Sequence, residues 1–306
     1  MASEQPLLSV DLRVDFPNKP RALSRVAFEI HPGEVLGLVG ESGSGKSTIA
    51  LAILKLLACK GGKASGHLLF RGRDLMAASE RDMRNLRGRE IALVLQSPLS
   101  SLNPALRIGT QLAEAWSAHA HGTRSELAAA LAGALDSVGL PSDHEFRNRY
   151  PAQISVGQAQ RVLIAMSILH SPALLIADEP TSALDVITQS EIMKLFAELN
   201  RKMGSAVLYI SHDLASVASV CHRIAILHDG GIVECGTLDA VLTRPAHPYT
   251  RQLLACVPWL STPATPAASV PKPVANPPKV ILPGIFKRPR PYLVTPIVGK
   301  TAGPLP

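Results

Sequence analysis

Three segments carry residue types suited to phosphate chemistry. Gly40-Glu41-Ser42-Gly43-Ser44-Gly45-Lys46-Ser47, followed by Thr48, has the pattern G-x-x-x-x-G-K-[ST]. Glycines at this spacing let successive backbone N–H groups wrap a phosphate, and a helix beginning at the lysine points its positive end at the same place. Lys46 is then placed for the β- and γ-phosphates, and the Ser47 hydroxyl for Mg²⁺. Downstream, the apolar run Leu174-Leu175-Ile176-Ala177 ends in Asp178 and Glu179. A carboxylate at a strand end suits the Mg²⁺ shell, which gives Asp178 its role. The adjacent Glu179 suits a general base that orients and deprotonates water. Between the two lies Ile154-Ser155-Val156-Gly157-Gln158-Ala159-Gln160-Arg161. The chemistry these residues point to is hydrolysis of a nucleoside triphosphate.

Such residues need a scaffold that brings them together. Leu7 to Phe16 alternates apolar and polar in part, as a half-buried strand does, and Arg25 to Ile30 reads as its partner. Val35 to Val39 is a short buried strand running into the glycines and then into a helix over KSTIALAILKLLA. Gly66 to Arg71 and Ile91 to Leu95 read as further strands. From about residue 98 to 157 the pattern turns helical, with TQLAEAWSAHA and SELAAALAGALDSVGL spaced as helices and Gly139 to Pro141 ending the second. Ala173 to Ala177, Ala206 to Ile210 and Ile224 to Leu227 then read as buried parallel strands separated by helices. Strand and helix alternate on both sides of a helical insert, which predicts an α/β core carrying an inserted helical subdomain. An adenine base also needs a stacking surface. Phe16, at the end of the first strand and ahead of the loop, is the best aromatic for it; a core role for the same ring is the alternative.

Taken in order, these motifs resemble the ATP-binding subunits of ABC transporters. The loop is at 40–47, Gln96 ends a strand, the segment 154–158 is similar to the Leu-Ser-Gly-Gly-Gln signature, and Asp178 and Glu179 follow. Ser182-Ala183-Leu184-Asp185 looks like the D-loop, and Ile210-Ser211-His212-Asp213 like the switch histidine. Gln96-Ser97-Pro98, Ser101-Leu102-Asn103-Pro104 and His247-Pro248-Tyr249-Thr250 resemble the peptide/nickel importer group within the family. The resemblance implies a P-loop NTPase (RecA-like) α/β core, with an N-terminal antiparallel β subdomain and an inserted α-helical subdomain. It implies ATP and Mg²⁺ as ligands and two such domains facing head to tail. Ser155, Gly157 and Gln158 of one chain, with Asp185, would then meet the ATP held by the other. Gln96 would sense the γ-phosphate through Mg²⁺ or the attacking water, and His212 would contact the γ-phosphate and steady Glu179. The implied partners are membrane permease subunits, a second ATPase subunit (identical or sibling) and an extracytoplasmic solute-binding protein. The implied location is the cytoplasmic face of the inner membrane, as a peripheral subunit.

Composition agrees with this reading and sharpens it. With 46% hydrophobic and 18% charged residues in 306, the chain has material for a real core, while aromatics at 4% make that core aliphatic. No run approaches the roughly 20 apolar residues of a membrane span, and the N-terminus is read as having no signal peptide. Cys59, Cys221, Cys235 and Cys256 lack paired metal spacing, which suits a reduced compartment. A net charge of +7 would suggest nucleic acid, yet Lys272, Lys279, Lys287, Arg288, Arg290 and Lys300 carry nearly all of it after residue 260. No nucleic-acid partner is expected. The expected division is an ATPase domain over residues 1–260 and a proline-rich basic tail over 261–306, a spacer or a contact for anionic lipid. Two features depart from the family pattern. Val156 stands where the signature has glycine: either it is tolerated, or it weakens the partner's ATP site and points to a heterodimer. The C-terminal cysteine cluster common among peptide-type members is missing, so no iron–sulfur centre is expected. An ABC exporter is a near alternative. An ABC-type ATPase of DNA repair or chromosome maintenance is a remoter one, since the stretch from Lys46 to Ser155 has neither heptads nor paired cysteines.

Overall fold

The structure, a computed structural model, describes residues 5–255. The expected tail over 261–306 and Cys256 lie outside those residues. Strands β1 (Leu8–Phe16) and β2 (Lys19–Ile30) pair antiparallel. Along β1, Leu8, Val10, Leu12 and Val14 are buried while Asp11, Arg13 and Asp15 face out, the period of two that a half-buried strand requires. The strand β4 (Lys63–Phe70) pairs with the other edge of β1, and the two-residue β5 (Arg73–Asp74) closes that side.

The second half of the sheet is the parallel core. Strand β3 (Val35–Val39) lies between β8 (Ala206–Ser211) and β9 (Arg223–His228), followed outward from β8 by β7 (Leu174–Asp178) and β6 (Ile91–Val94). Antiparallel β10 (Gly231–Thr237) lines β9 and meets β2 through the single pairing Gly231–Arg25. One ten-stranded sheet results, in the order β5-β4-β1-β2-β10-β9-β3-β8-β7-β6. The central strands are apolar on both faces because helices cover both. Their side chains nevertheless alternate between two cores. Leu36, Leu38, Leu174, Ile176, Leu208 and Ile210 join β1, β2, β4 and helix α1 (Lys46–Ile53) on one side. Val35, Val39, Leu175, Ala177, Val207 and Tyr209 join the remaining helices on the other.

Those helices are the short α3 (Pro98–Ser101), α4 (Ile108–Ser117), α5 (Arg124–Ser137), the short α6 (His144–Arg147), α7 (Val156–Ile168), α8 (Val186–Met203) and α9 (Leu214–Val220). Earlier in the chain is α2 (Glu80–Leu86), and α10 (Leu238–Thr243) and α11 (Pro248–Ala255) close the described part. The helical insert is legible in its caps. Thr123 opens α5 with a capping box to Glu126, and Asp143 opens α6 through the Phe146 N–H. Helix α1 is shorter than the spacing predicts. Lys55 takes a left-handed backbone, φ 55°, and the bonds Leu56 N–H to Leu51 O and Lys55 N–H to Ala52 O close the helix as a Schellman turn. The apolar residues beyond it, including Leu57, pack from a separate 3-10 turn over Leu57–Lys60.

Candidate nucleotide-hydrolysis site

The phosphate-binding loop connects β3 to α1. Gly45 is the N-cap of α1 at φ 109°, a left-handed conformation that costs a side chain dearly and glycine little. That turn sends Lys46 inward, where it is 5% exposed. Its Nζ donates to the carbonyls of Gly40 (2.8 Å) and Glu41 (2.9 Å) and lies 3.8 Å from Glu179 Oε1. Burial lowers the lysine pKa, and the charges of Glu179 and Asp178 pull it back up. The Ser47 hydroxyl donates to Asp178 Oδ1 at 3.1 Å. Burial pushes the Asp178 carboxyl above its ordinary range, opposed by that hydrogen bond.

A hydroxyl on a half-buried carboxylate is an all-oxygen donor pair of the kind that Mg²⁺ takes. The Ser44 hydroxyl, buried in the same loop without a hydrogen-bond partner, adds a polar atom that the protein leaves unsatisfied. The residues therefore fit a phosphate with its metal ion: Ser47 and Asp178 would hold Mg²⁺, which when bound supplies positive charge to the phosphate oxygens.

Glu179 is the centre of the arrangement. It follows β7 with φ 46°, a left-handed backbone rare for a residue with a side chain and worth about 1–2 kcal/mol of strain. The strain is held by the neighbouring strand: the Glu179 N–H donates to Ile210 O at 2.9 Å, and Ser182 donates to the Glu179 carbonyl through both N–H and hydroxyl. The bend turns the side chain, 16% exposed, into the site. Gln96 Nε2, two residues past β6, donates to its Oε2 at 2.9 Å. His212 Nδ1, one residue past β8, is 3.4 Å from Oε1. Both flanks of His212 are pinned, since Asp213 N–H donates to Ser211 Oγ and the Asp213 carboxylate accepts from Ala215 and Ser216 N–H at the start of α9. Three groups from three separate segments thus meet one carboxylate. A small polar pocket beside it is lined by Glu179, Thr181, Ser182, Gln189, Ser211, His212 and Asp213.

The signature residues bond locally instead. Ser155 is the N-cap of α7: its hydroxyl accepts from Gln158 N–H at 3.1 Å, and its own N–H donates to Gln158 Oε1 at 3.0 Å. Among the described residues, these bonds close on each other and not on residues 40–48. Val156 is 36% exposed, its side chain free of the core. A Cβ on Gly157 would meet Thr188 Cγ2 at 2.8 Å. Thr188 is in turn fixed by Asp185, which caps α8 by accepting from its N–H (3.0 Å) and hydroxyl (2.7 Å). Signature and D-loop thus lie against each other, and Val186 and Ile187, next along the chain from Asp185, are strongly exposed. Replacing Ser155 by Ala removes the cap, at about 1 kcal/mol. The melting temperature should fall by roughly 2–4 °C, with a steeper loss of ATPase activity if the hydroxyl also serves a facing site.

Phe16 is half-buried against the core formed with β1, β2, β4 and α1, and its ring lies over Gly62, where a Cβ would meet Cε1 at 2.6 Å. A residue that sequence reasoning missed is Gln189, on α8. Its Nε2 donates to the carbonyls of Thr181 (3.1 Å) and Leu184 (3.0 Å) and so holds the turn after Glu179. A lone helical glutamine gives no signal of this in sequence.

The ABC transporter family profile matches residues 23–182, more than half of the chain. The chain belongs to the ABC transporter family. A second profile, the C-terminal region of oligopeptide/dipeptide transporters, matches residues 233–280 and places it in that branch. The dipeptide transport ATP-binding protein DppD of Escherichia coli (strain K12) is 41% identical, over 95% of this chain and 88% of its own length. The oligopeptide transport ATP-binding protein OppD of Bacillus subtilis (strain 168) is 40% identical, over 88% and 77%. Among solved structures, cbiO1 from Clostridium perfringens, part of the ABC transporter complex cbiONQ, superposes with a TM-score of 0.69 at 25% identity, covering 84% of this chain and 98% of that one. The dimeric, post-hydrolysis ATP-binding cassette MJ0796 bound to ADP and Pi gives 0.65 at 27% identity, covering 76% and 98%. This family member is an ATP-binding ATPase with the expected P-loop α/β fold.

Proposed function

We propose that this ABC ATPase energises an importer for peptides or related small solutes, as one of two ATPase domains seated on membrane permease subunits. The observation that carries the proposal is the convergence of Lys46, Gln96 and His212 on Glu179, joined to the match of the C-terminal region to peptide transporters. The hydrolytic step follows from that convergence. Glu179 Oε1 takes the proton of an attacking water, while Gln96 and His212 hold the carboxylate in place. Lys46 and the loop N–H groups hold the phosphates and offset the charge that develops on them.

That Ser155 and Gln158 bond each other and not residues 40–48 supports a two-chain site. Each signature, at the positive end of α7, would face the γ-phosphate on the other subunit. ATP then holds the two domains together, and loss of the γ-phosphate lets them part. Gln96, at the entry to the helical insert, would couple occupancy to movement of that insert and so to the permease. Among the described residues no helix is long and apolar enough to cross a membrane, in keeping with a peripheral subunit that borrows its path from permeases. Mg²⁺ at Ser47, Gln96 and Asp178, adenine stacking on Phe16, a solute-binding protein upstream and a place on the cytoplasmic membrane face belong to the same reading, as does a separate tail over 261–306.

The decisive experiment is recovery of the tagged chain from gently solubilised native membranes. Permeases together with an ATPase partner are the expected companions; DNA-processing proteins without permeases would overturn the proposal. Val156 gives a sharper test. Its β-branched side chain stiffens a position close to the expected phosphate. If it weakens the facing site, Val156→Gly should raise ATPase turnover of the assembled complex by several fold, on the order of 1 kcal/mol of barrier. Equal rates for both forms would show that Ser155 and Gly157 suffice.

A further inference from the structure

The His247-Pro248-Tyr249-Thr250 segment enters the sequence reading only as a mark of the subgroup, yet the structure puts it against the phosphate-binding loop. Helix α11 is anchored at its start by Glu234 on β10, where the pairing with β9 is irregular. The Glu234 carboxylate accepts from Ala246 N–H (2.8 Å) and His247 N–H (3.0 Å), and His247 Nδ1 accepts from Tyr249 N–H at 3.2 Å. Thr250 and Leu254 are buried beneath the helix. With its backbone fixed in this way, the Tyr249 ring stacks on His228, centroids 3.7 Å apart and planes 18° from parallel.

His228 ends β9, and the preceding Leu227 abuts the loop: a Cβ on Gly40 would collide with the Leu227 carbonyl. The Tyr249 ring is thereby stacked beside the strand end that abuts the loop, with the Glu41 side chain and backbone close enough to act on its hydroxyl. Its hydroxyl is buried and closes no hydrogen bond in this structure. Burial and then the Glu41 carboxylate hold the phenol above its ordinary range, and the Glu41 backbone acts on it too. Glu41 is also the residue whose carbonyl accepts from Lys46 Nζ.

We propose that Tyr249 is a positioning residue for the phosphate-binding loop, fixing Glu41 from the C-terminal helix and so coupling the docking of that helix to nucleotide affinity. The inference rests on ATP binding at residues 40–48 and is independent of the solute carried. A phenol held against Glu41 before nucleotide enters narrows the loop's freedom beforehand, which raises affinity without adding a contact to the ligand. Tyr249 touches no reacting atom, so the effect belongs to binding and not to chemistry.

The test uses the full chain. ATP affinity is measured by calorimetry, and KM and kcat by phosphate release, for wild type, Tyr249→Phe, Glu41→Ala and the double variant. Tyr249→Phe keeps the ring and its stack on His228 and removes only the hydroxyl. The expected result is ATP binding about 3- to 10-fold weaker in each single variant and a matching rise in KM, with kcat of Tyr249→Phe within about twofold of wild type. The double variant should be no weaker than the weaker single, because both changes break one interaction. Wild-type affinity in Tyr249→Phe, or losses that multiply in the double variant, would overturn the positioning role while leaving the ATPase assignment untouched. Absence of ATP binding in the wild-type chain itself would overturn both.

Discussion

Glu179→Gln should bind ATP as the wild type does and hydrolyse it roughly 10²- to 10⁴-fold more slowly. Glutamine preserves size and still offers an oxygen to Gln96, now 2.9 Å from Glu179 Oε2. What it removes is the basic carboxylate that Lys46 and His212 approach at 3.8 Å and 3.4 Å. Lys46 then faces Asp178 as its remaining nearby anion, and its own place on the Gly40 and Glu41 carbonyls is unaffected, so affinity should change by no more than a few fold. A second consequence follows from the two-chain reading. If ATP joins the domains and hydrolysis releases them, the stalled variant should accumulate as a dimer in ATP and return to monomer in ADP, as read by sedimentation. Turnover within about tenfold of wild type would move the general base elsewhere.

The second large effect is expected at Lys46. Its ammonium is buried, so it meets phosphate with little competing water, and charge-assisted bonds of this kind are worth about 1.5–3 kcal/mol each. Lys46→Ala should weaken ATP binding by about 10- to 100-fold and lower kcat as well, since the charge that opposes the developing negative charge is gone. It also leaves Asp178 and Glu179 as adjacent carboxylates without their cation. Asp178, already pushed upward by burial, should then protonate more readily. Lys46→Arg is a useful companion: a rigid guanidinium cannot reproduce the two carbonyl bonds of the ammonium at Gly40 and Glu41, and it should not restore affinity. Unchanged ATP affinity in Lys46→Ala would remove the loop from nucleotide binding.

Much of this site is legible in sequence because its motifs are local. A strand that runs into Gly-rich turn and helix, or that ends in two carboxylates, can be recognised within a dozen residues. The strands β3, β7, β8 and β9 stand out for the same reason. Their division into two cores is hidden, since an all-apolar strand has no alternation to read. The end of α1 is hidden too: nothing in Leu54-Lys55-Leu56 announces a left-handed lysine, and tertiary packing decides it. Strand β10 and helices α10 and α11 are half-buried and mixed in pattern, so periodicity does not mark them. The convergence of Gln96, Glu179 and His212 becomes geometry only in the fold, because β6, β7 and β8 are neighbours in the sheet but distant in the chain. The same holds for Tyr249 on His228, which no spacing rule connects.

One measurement bears most directly on the central claim that ATP hydrolysis at Glu179 drives uptake of peptides. The complex recovered with this chain is reconstituted in vesicles, and entry of a labelled di- or oligopeptide is followed with its solute-binding protein present. Uptake that needs ATP, and that stops when Glu179→Gln replaces the wild-type chain, is the predicted result. ATP hydrolysis that proceeds at the same rate with and without permease, binding protein and peptide, with no label entering, would contradict it.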